Sequence, residues 1–420
     1  MKAKLFSALT GGALLAISGV ISYSVAQQSN DSTPQDQNEA LIAQGQQVFR
    51  FNTFGDEITW TDKLQLNTVI SQAVDPLTAL AVGLKVDVDA LPEAVQKGIT
   101  GGSIDLSSPA TTVALLKLDA VVGVKGTVET VNGTDTLTQV GVTCALCHST
   151  VDNSFIPGIG HRLDGWPNHD LDPGKIIALS PAFSQADKDK LNSWGPGMYD
   201  PRFNIDGLSD PVVIPPAYGL EGVHSVVYTG DGPSLSYWNR YVAVTQMGGQ
   251  GLFSDPRIGT HINPDQPGLK PGWHPGVFVV NGKQDLVTSN LAALQAYQLS
   301  ISAPLPPEGS FDPDAAARGE GLFDGSAGCA RCHSGPKFTD ANQRLHPPAD
   351  TVAEDKLYVT RSATGMWRTT PLRGLWQHPP YLHDGSAQTL SDVVQIYNDK
   401  MNLGLTSAQM SDLAEYLKTL

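Results

Sequence analysis

The stretch DAAARGEGLFDGSAGCARCH, residues 314–333, decides the fold. Its first ten residues follow a helical pattern with small side chains on one face, and its last five read Cys329-Ala330-Arg331-Cys332-His333. Two thiols three positions apart on one helical turn can each form a thioether with a porphyrin vinyl group, while the adjacent histidine sets an imidazole under the iron. The same spacing recurs at Cys144-Ala145-Leu146-Cys147-His148, and the two motifs use every cysteine in the chain. A zinc knuckle built from both pairs would leave His148 and His333 unexplained. A redox dithiol repeated with histidine both times would be a coincidence. The reading is two covalent haem c groups.

Outward from that stretch, residues 407–420 form an amphipathic helix, with Thr406 as its N-cap and Leu413, Leu417 and Leu420 at helical spacing. A first helix, a haem motif and a last helix crossing the first resemble a cytochrome c domain. A weaker copy lies upstream. There Ala40–Phe49 matches the first helix, CALCH matches CARCH, and Asn290–Tyr297 matches DLAEYLKTL. Gly45 precedes Cys144 by 99 positions, whereas Gly319 precedes Cys329 by 10, so the first copy carries a long insertion. Part of the insertion, 120–142, alternates like a hairpin about Asn132-Gly133-Thr134. The expected fold is therefore mainly α, with two cytochrome c-like domains, the first holding a long insertion that contains a small β-hairpin. The expected boundaries are a signal peptide at 1–26, a disordered linker at 27–37, an N-terminal domain at 38–303, a proline-stiffened linker at 304–309 and a C-terminal domain at 310–420.

The length of 420 residues exceeds the roughly 250 to 300 at which a single core stops growing. A formal charge of −15 argues against a nucleic-acid or anionic-membrane binder, both of which need a basic face. Lys2 and Lys4, an apolar run from Leu5 to about Tyr23 and the small-x-small site Ser24-Val25-Ala26 read as a secretory signal. Cleavage would release a soluble periplasmic protein; retention would leave an anchor and the only membrane association expected.

Thr370-Pro371-Leu372-Arg373-Gly374-Leu375, Pro380-Tyr381-Leu382-His383-Asp384-Gly385-Ser386 and Thr389-Leu390 resemble the C-terminal domain of the bacterial di-haem cytochrome c peroxidases and MauG-type enzymes. In that family the far-side ligand of the C-terminal haem lies fourteen positions after the PYxHDG histidine, Met in the peroxidases and Tyr in the MauG type, and this chain has Tyr397 there. Tyr397 either ligates the iron or packs on the porphyrin; Met401 and Met366 are its competitors. The resemblance makes His383 a group near the haem edge rather than a ligand. For the N-terminal haem it points to Gly158-Ile159-Gly160-His161 as a loop with a removable histidine ligand. His161 could equally be a solvent-facing loop residue, and Met247 is a rival that would close the iron. The family's distal acid is missing: Ile258 occupies its place in Ser254–Ile258, with Asp255 or His261 as substitutes. Trp376 is the aromatic expected nearest a haem pocket.

Two functions follow. One is an oxidoreductase passing electrons from the C-terminal to the N-terminal haem, for peroxide reduction or a related MauG-like oxidation. The other is a non-catalytic di-haem carrier. Both imply two haem c groups, with room for calcium, and a small periplasmic electron-transfer protein, a cytochrome c or cupredoxin, as partner.

Overall fold

The computed structural model describes residues 34–262 and 272–420. The expected signal segment 1–26 and the side chain of His261 lie outside the described residues. The first helix runs Pro34–Phe51, so residues 34–37 are helical rather than linker. The chain is mainly helical, with five two-stranded pieces of sheet among the described residues. No helix among them is long and apolar enough to cross a membrane.

Two helix pairs organise the structure, and in both a glycine permits the crossing. The helix Pro313–Asp324 starts where Asp312 accepts the amides of Asp314 and Ala315, with Pro313 in the first turn where no amide is needed. It buries Ala315, Ala316, Gly319 and Phe323 against the last helix, Ser407–Thr419. That helix opens with a capping box, Thr406 and Gln409 each accepting the other's amide. A β-carbon on Gly319 would meet the Asp412 carbonyl oxygen at 2.1 Å, and one on Gly45 would meet that of Ala293 at 1.9 Å. Next to each glycine an aromatic pair packs edge to face: Phe49 with Tyr297 at 5.5 Å, and Phe323 with Tyr416 at 5.3 Å.

A second repetition was not read from the sequence. Pro216, Gly219, Leu220, Gly230 and Leu235 precede Pro371, Gly374, Leu375, Gly385 and Leu390 by a constant 155 positions. The backbone follows the same register. Val227 and Leu382 both have positive φ (62° and 65°), Val226 bridges Gly232 as Tyr381 bridges Ala387, and Ser234 and Thr389 both cap helices. Each repeat is tied to its own last helix by one bond, Gly219 N–H to Ile301 O and Gly374 N–H to Leu420 O, both 2.8 Å. The repeats also hold each other reciprocally. Val213 N–H donates to His383 O at 2.7 Å, and Arg368 N–H, 155 positions on, donates to Tyr228 O at 2.8 Å.

The long stretch between the first helix and Cys144 contains short helices, a parallel pairing of Val86–Asp87 with Ile159–Gly160, and an antiparallel hairpin, Val124–Val131 with Thr134–Val142. A longer hairpin, Gly251–Ile262 with Gly272–Asn281, falls between Met247 and the helix Leu291–Ser300. It takes up Ser254–Ile258, so the segment expected to stand in for the distal acid is β-strand with Ile258 in the core.

Arg361 is fully buried between Asp200 at 3.0 Å and Asp206 at 2.8 Å, which joins the segment after Lys356–Thr360 to the N-terminal half. Asp210 lies beside this group with a buried Oδ2 that has no partner. Burial, then the charges of Asp355 and Asp200, push its pKa up to about 6. A carboxyl raised in the fold stabilises below the ordinary carboxylate range, and that contribution is lost as pH rises through about 6. Asp210→Asn should therefore raise stability by about 1 kcal/mol at pH 7.5, after allowance for partial solvent screening, with no gain below about pH 4. Thermal unfolding of both proteins across pH checks this; a gain independent of pH would assign the effect to something other than this charge.

Candidate functional site

The second motif opens onto a cavity of about 790 Å³, a size typical of cofactor sites. Cys329, Cys332 and His333 line one side, Leu413 and Leu417 of the last helix another, and Tyr397 and Met401 a third. Residues Val213 to Leu220 of the N-terminal repeat contribute to its wall. His333 is half-buried and its Nδ1–H donates to the Phe338 carbonyl at 3.1 Å, which fixes the tautomer and leaves Nε2 as the free lone pair. Burial lowers its pKa, so the ring is neutral, as a metal ligand must be. No disulfide joins any of the four cysteines.

Tyr397 reaches this cavity from the helix Leu390–Lys400, eight positions past its Thr389 cap. Burial pushes its phenol up to about 12, with the Cys329 and Cys332 thiols close enough to add to the effect. Met401 also lines the cavity, whereas Met366 is solvent-exposed and forms no part of the wall. His383 is buried at the rim, its Nε2 3.3 Å from Asp355 and its ring 4.5 Å from that of Trp367. Trp376 lies outside the wall; its ring stands edge-on to Trp166 at 5.8 Å and its N–H donates to the Pro304 carbonyl.

The first motif forms the short helix Ala145–His148 with Cys144 as its cap. Burial pushes both thiols up to about 12 and draws His148 down to about 4. His148 Nδ1–H donates to the Pro215 carbonyl at 3.1 Å. His333 also senses the carbonyl of Thr370, which is Pro215's counterpart 155 positions on. Neither carbonyl is marked by its own residue type, although the constant spacing of the two PxxGL segments that follow them pairs the two. His148→Ala and His333→Ala should each abolish the ligand-field signature of one haem while leaving both thiol pairs able to react; an unchanged visible spectrum in either variant would remove that motif's assignment.

The other candidates for the first site are dispersed. His161 is on the surface with Nδ1 3.0 Å from Asp89, and this carboxylate raises its pKa. Met247 is buried just past the π-helical turn Val242–Gln246, its carbonyl receiving the Trp60 N–H at 2.8 Å. Asp255 is buried on its strand; burial pushes its pKa up, but hydrogen bonds from Arg257 and Tyr237 outweigh this and hold it below the usual carboxylate range. His261 lies on the same strand.

No protein-family model matches the chain. It is 30% identical over 189 residues to a cytochrome-c peroxidase of Denitromonas iodatirespirans, a match covering 32% of this chain and 50% of that protein. It is 33% identical over 156 residues to the methylamine utilization protein MauG of Methylorubrum extorquens, covering 32% and 43%. A solved MauG-like protein associated with microbial copper homeostasis is 24% identical over 31% of this chain and 56% of its own, with a TM-score of 0.25. The chain thus spans about half the length of the curated relatives it matches.

Proposed function

We propose that this chain, a relative of the di-haem cytochrome c peroxidases and of MauG, is an exported di-haem oxidoreductase built from two cytochrome c-like modules, 38–303 and 310–420. Electrons enter at the C-terminal haem and pass to the N-terminal one, where peroxide is reduced or a related oxidation is carried out. Haem bound at each motif would supply one-electron transfer and, where the sixth position is free, a place for a small oxidant. The residues fit the group: a neutral, oriented imidazole beside each thiol pair, and a cavity of matching size at the second.

The observation that carries the catalytic reading is an asymmetry within the repeat. Val242 stands eight positions past the Ser234 cap, as Tyr397 stands eight past Thr389. A phenol oxygen is available to close the C-terminal iron. At the matching place in the N-terminal half there is only a hydrocarbon. Tyr397 then favours a low-potential, closed centre on the electron-receiving side, and the open side is the N-terminal one.

The proton chemistry falls to Asp255, His161 and His261. Asp255 is ionised by its pairing with Arg257, so it suits the accepting half of a relay through the Tyr237 hydroxyl. His161 must break its pair with Asp89 before it can approach an iron. The net negative charge suits a basic cytochrome or cupredoxin as donor, whose association would weaken with salt.

Burial of Met247 supports a second reading, a carrier with both irons closed. Low-temperature EPR of the oxidised and half-reduced protein separates the two. A high-spin ferric signal at rest or on half-reduction is expected. Two low-spin signals in both states would replace the enzyme by the carrier.

A further inference from the structure

Two adjacent side chains on the wall of the cavity at the second motif carry buried hydrogen-bond donors without acceptors. Trp367 is 5% exposed and its Nε1–H has no partner; the Nε–H of Arg368 is likewise buried and unpaired. Both residues line the cavity that holds Cys329, Cys332 and His333. The Arg368 guanidinium has one side-chain bond, Nη1–H to the Ser225 carbonyl at 3.0 Å, and no carboxylate partner among the described residues. Burial draws its pKa down to about 10. Of the other cations on the same wall, Lys400 pairs with Glu354, Arg373 lies 4.9 Å from the Phe338 ring centre and donates to the Pro336 carbonyl, and Arg331 is exposed to solvent.

A buried guanidinium N–H and a buried indole N–H left unpaired cost several kcal/mol together, and a group bearing an acceptor anion relieves both at once. The remaining wall is largely apolar, so a ligand with a broad apolar body and few charged groups fits it. The carboxylates of a porphyrin meet that description. We propose that Trp367 Nε1–H and Arg368 Nε–H form a clasp for one carboxylate of the group attached at Cys329 and Cys332, and that Arg368 thereby sets the reduction potential of that centre. This rests on the haem reading of the second motif. A fixed positive charge beside the carboxylate favours the reduced, less positive iron, and its removal favours the oxidised one.

The test is an optical redox titration of the full chain, with attached haem counted by mass and the second centre identified as the one lost in His333→Ala. Arg368→Gln should move the ferric/ferrous ratio of that centre about tenfold toward ferric, which for one electron is 59 mV downward. Trp367→Phe, which keeps the ring and loses the donor, should move it about threefold in the same direction. Arg368→Lys should recover most of the loss, and the first centre should not move. If Arg368→Gln fails to retain haem, Trp367→Phe and Arg368→Lys carry the measurement. Two attached haems with unchanged potentials in all variants that retain them would overturn the clasp and leave the haem reading standing. A wild-type chain without haem would overturn that reading itself. A wild-type potential that responds to added acetate, with the response lost in Arg368→Gln, would mean the donors take a free carboxylate and would overturn the assignment to the porphyrin.

Discussion

Gly319→Val is expected to detach the last helix from the first in the C-terminal half, lowering the unfolding midpoint by about 10 °C and the haem held at the second motif with it. The reason is geometric. The added β-carbon would stand 2.1 Å from the Asp412 carbonyl oxygen and 2.8 Å from the Tyr416 β-carbon, and the nearest obstacle is backbone, which has no rotamer to turn away. The helices must part. Parting them weakens the Phe323–Tyr416 contact, the Arg318–Asp412 pair at 2.7 Å and the placement of Leu413 and Leu417 on the cavity wall. The combined cost is about 3 kcal/mol or more, at the upper end for an overpacked site. Gly45→Val should do the same to the N-terminal half, where the added atom would stand 1.9 Å from the Ala293 carbonyl oxygen. Differential scanning calorimetry with haem counted by mass measures both. A Gly319→Val protein that melts with the wild type would disprove the close crossing.

Both crossings were legible in the sequence because their signals are local. Glycine four positions before phenylalanine on a helix, a capped last helix and the CxxCH motif each need only a few adjacent residues. The reciprocal packing of the two 155-spaced segments was not read, because its identities are sparse: glycines, prolines and one leucine per turn, separated by side chains that differ completely. What repeats there is backbone conformation, left-handed at Val227 and Leu382, and amino-acid type signals this weakly when the residue is not glycine. The long hairpin Gly251–Asn281 went unread for another reason. Asp255, Pro256 and Arg257 interrupt its alternation, and Gly276 sits at the irregular step between Pro275 and Val277 where the register shifts. Trp367 and Arg368 escaped notice because an unpaired buried donor is a property of the packed chain, with no counterpart in spacing.

Tyr397→Phe is expected to convert the second haem from low spin to high spin, roughly doubling the high-spin ferric intensity of the resting protein, with a change in stability below about 1 kcal/mol. The substitution removes one oxygen and keeps the ring that fills the cavity between the helix Leu390–Lys400 and the thiols. A purely packing tyrosine would leave the spectrum as it was, so the result separates the two roles that the sequence allowed for this residue. The matched position makes the contrast internal to the molecule: Val242→Ala should leave the second haem's signal untouched, since its side chain packs in the N-terminal core. An unchanged Tyr397→Phe spectrum would pass the ligand role to Met401, the next cavity-lining side chain one turn along the helix. Iron closed there by a thioether would have a higher potential than a phenolate-ligated one, which changes the driving force between the two irons and leaves the catalytic reading standing. The same EPR sample decides between the two functions through the other iron, because the catalytic reading requires an open position where the repeat places Val242 and a closed one where it places Tyr397.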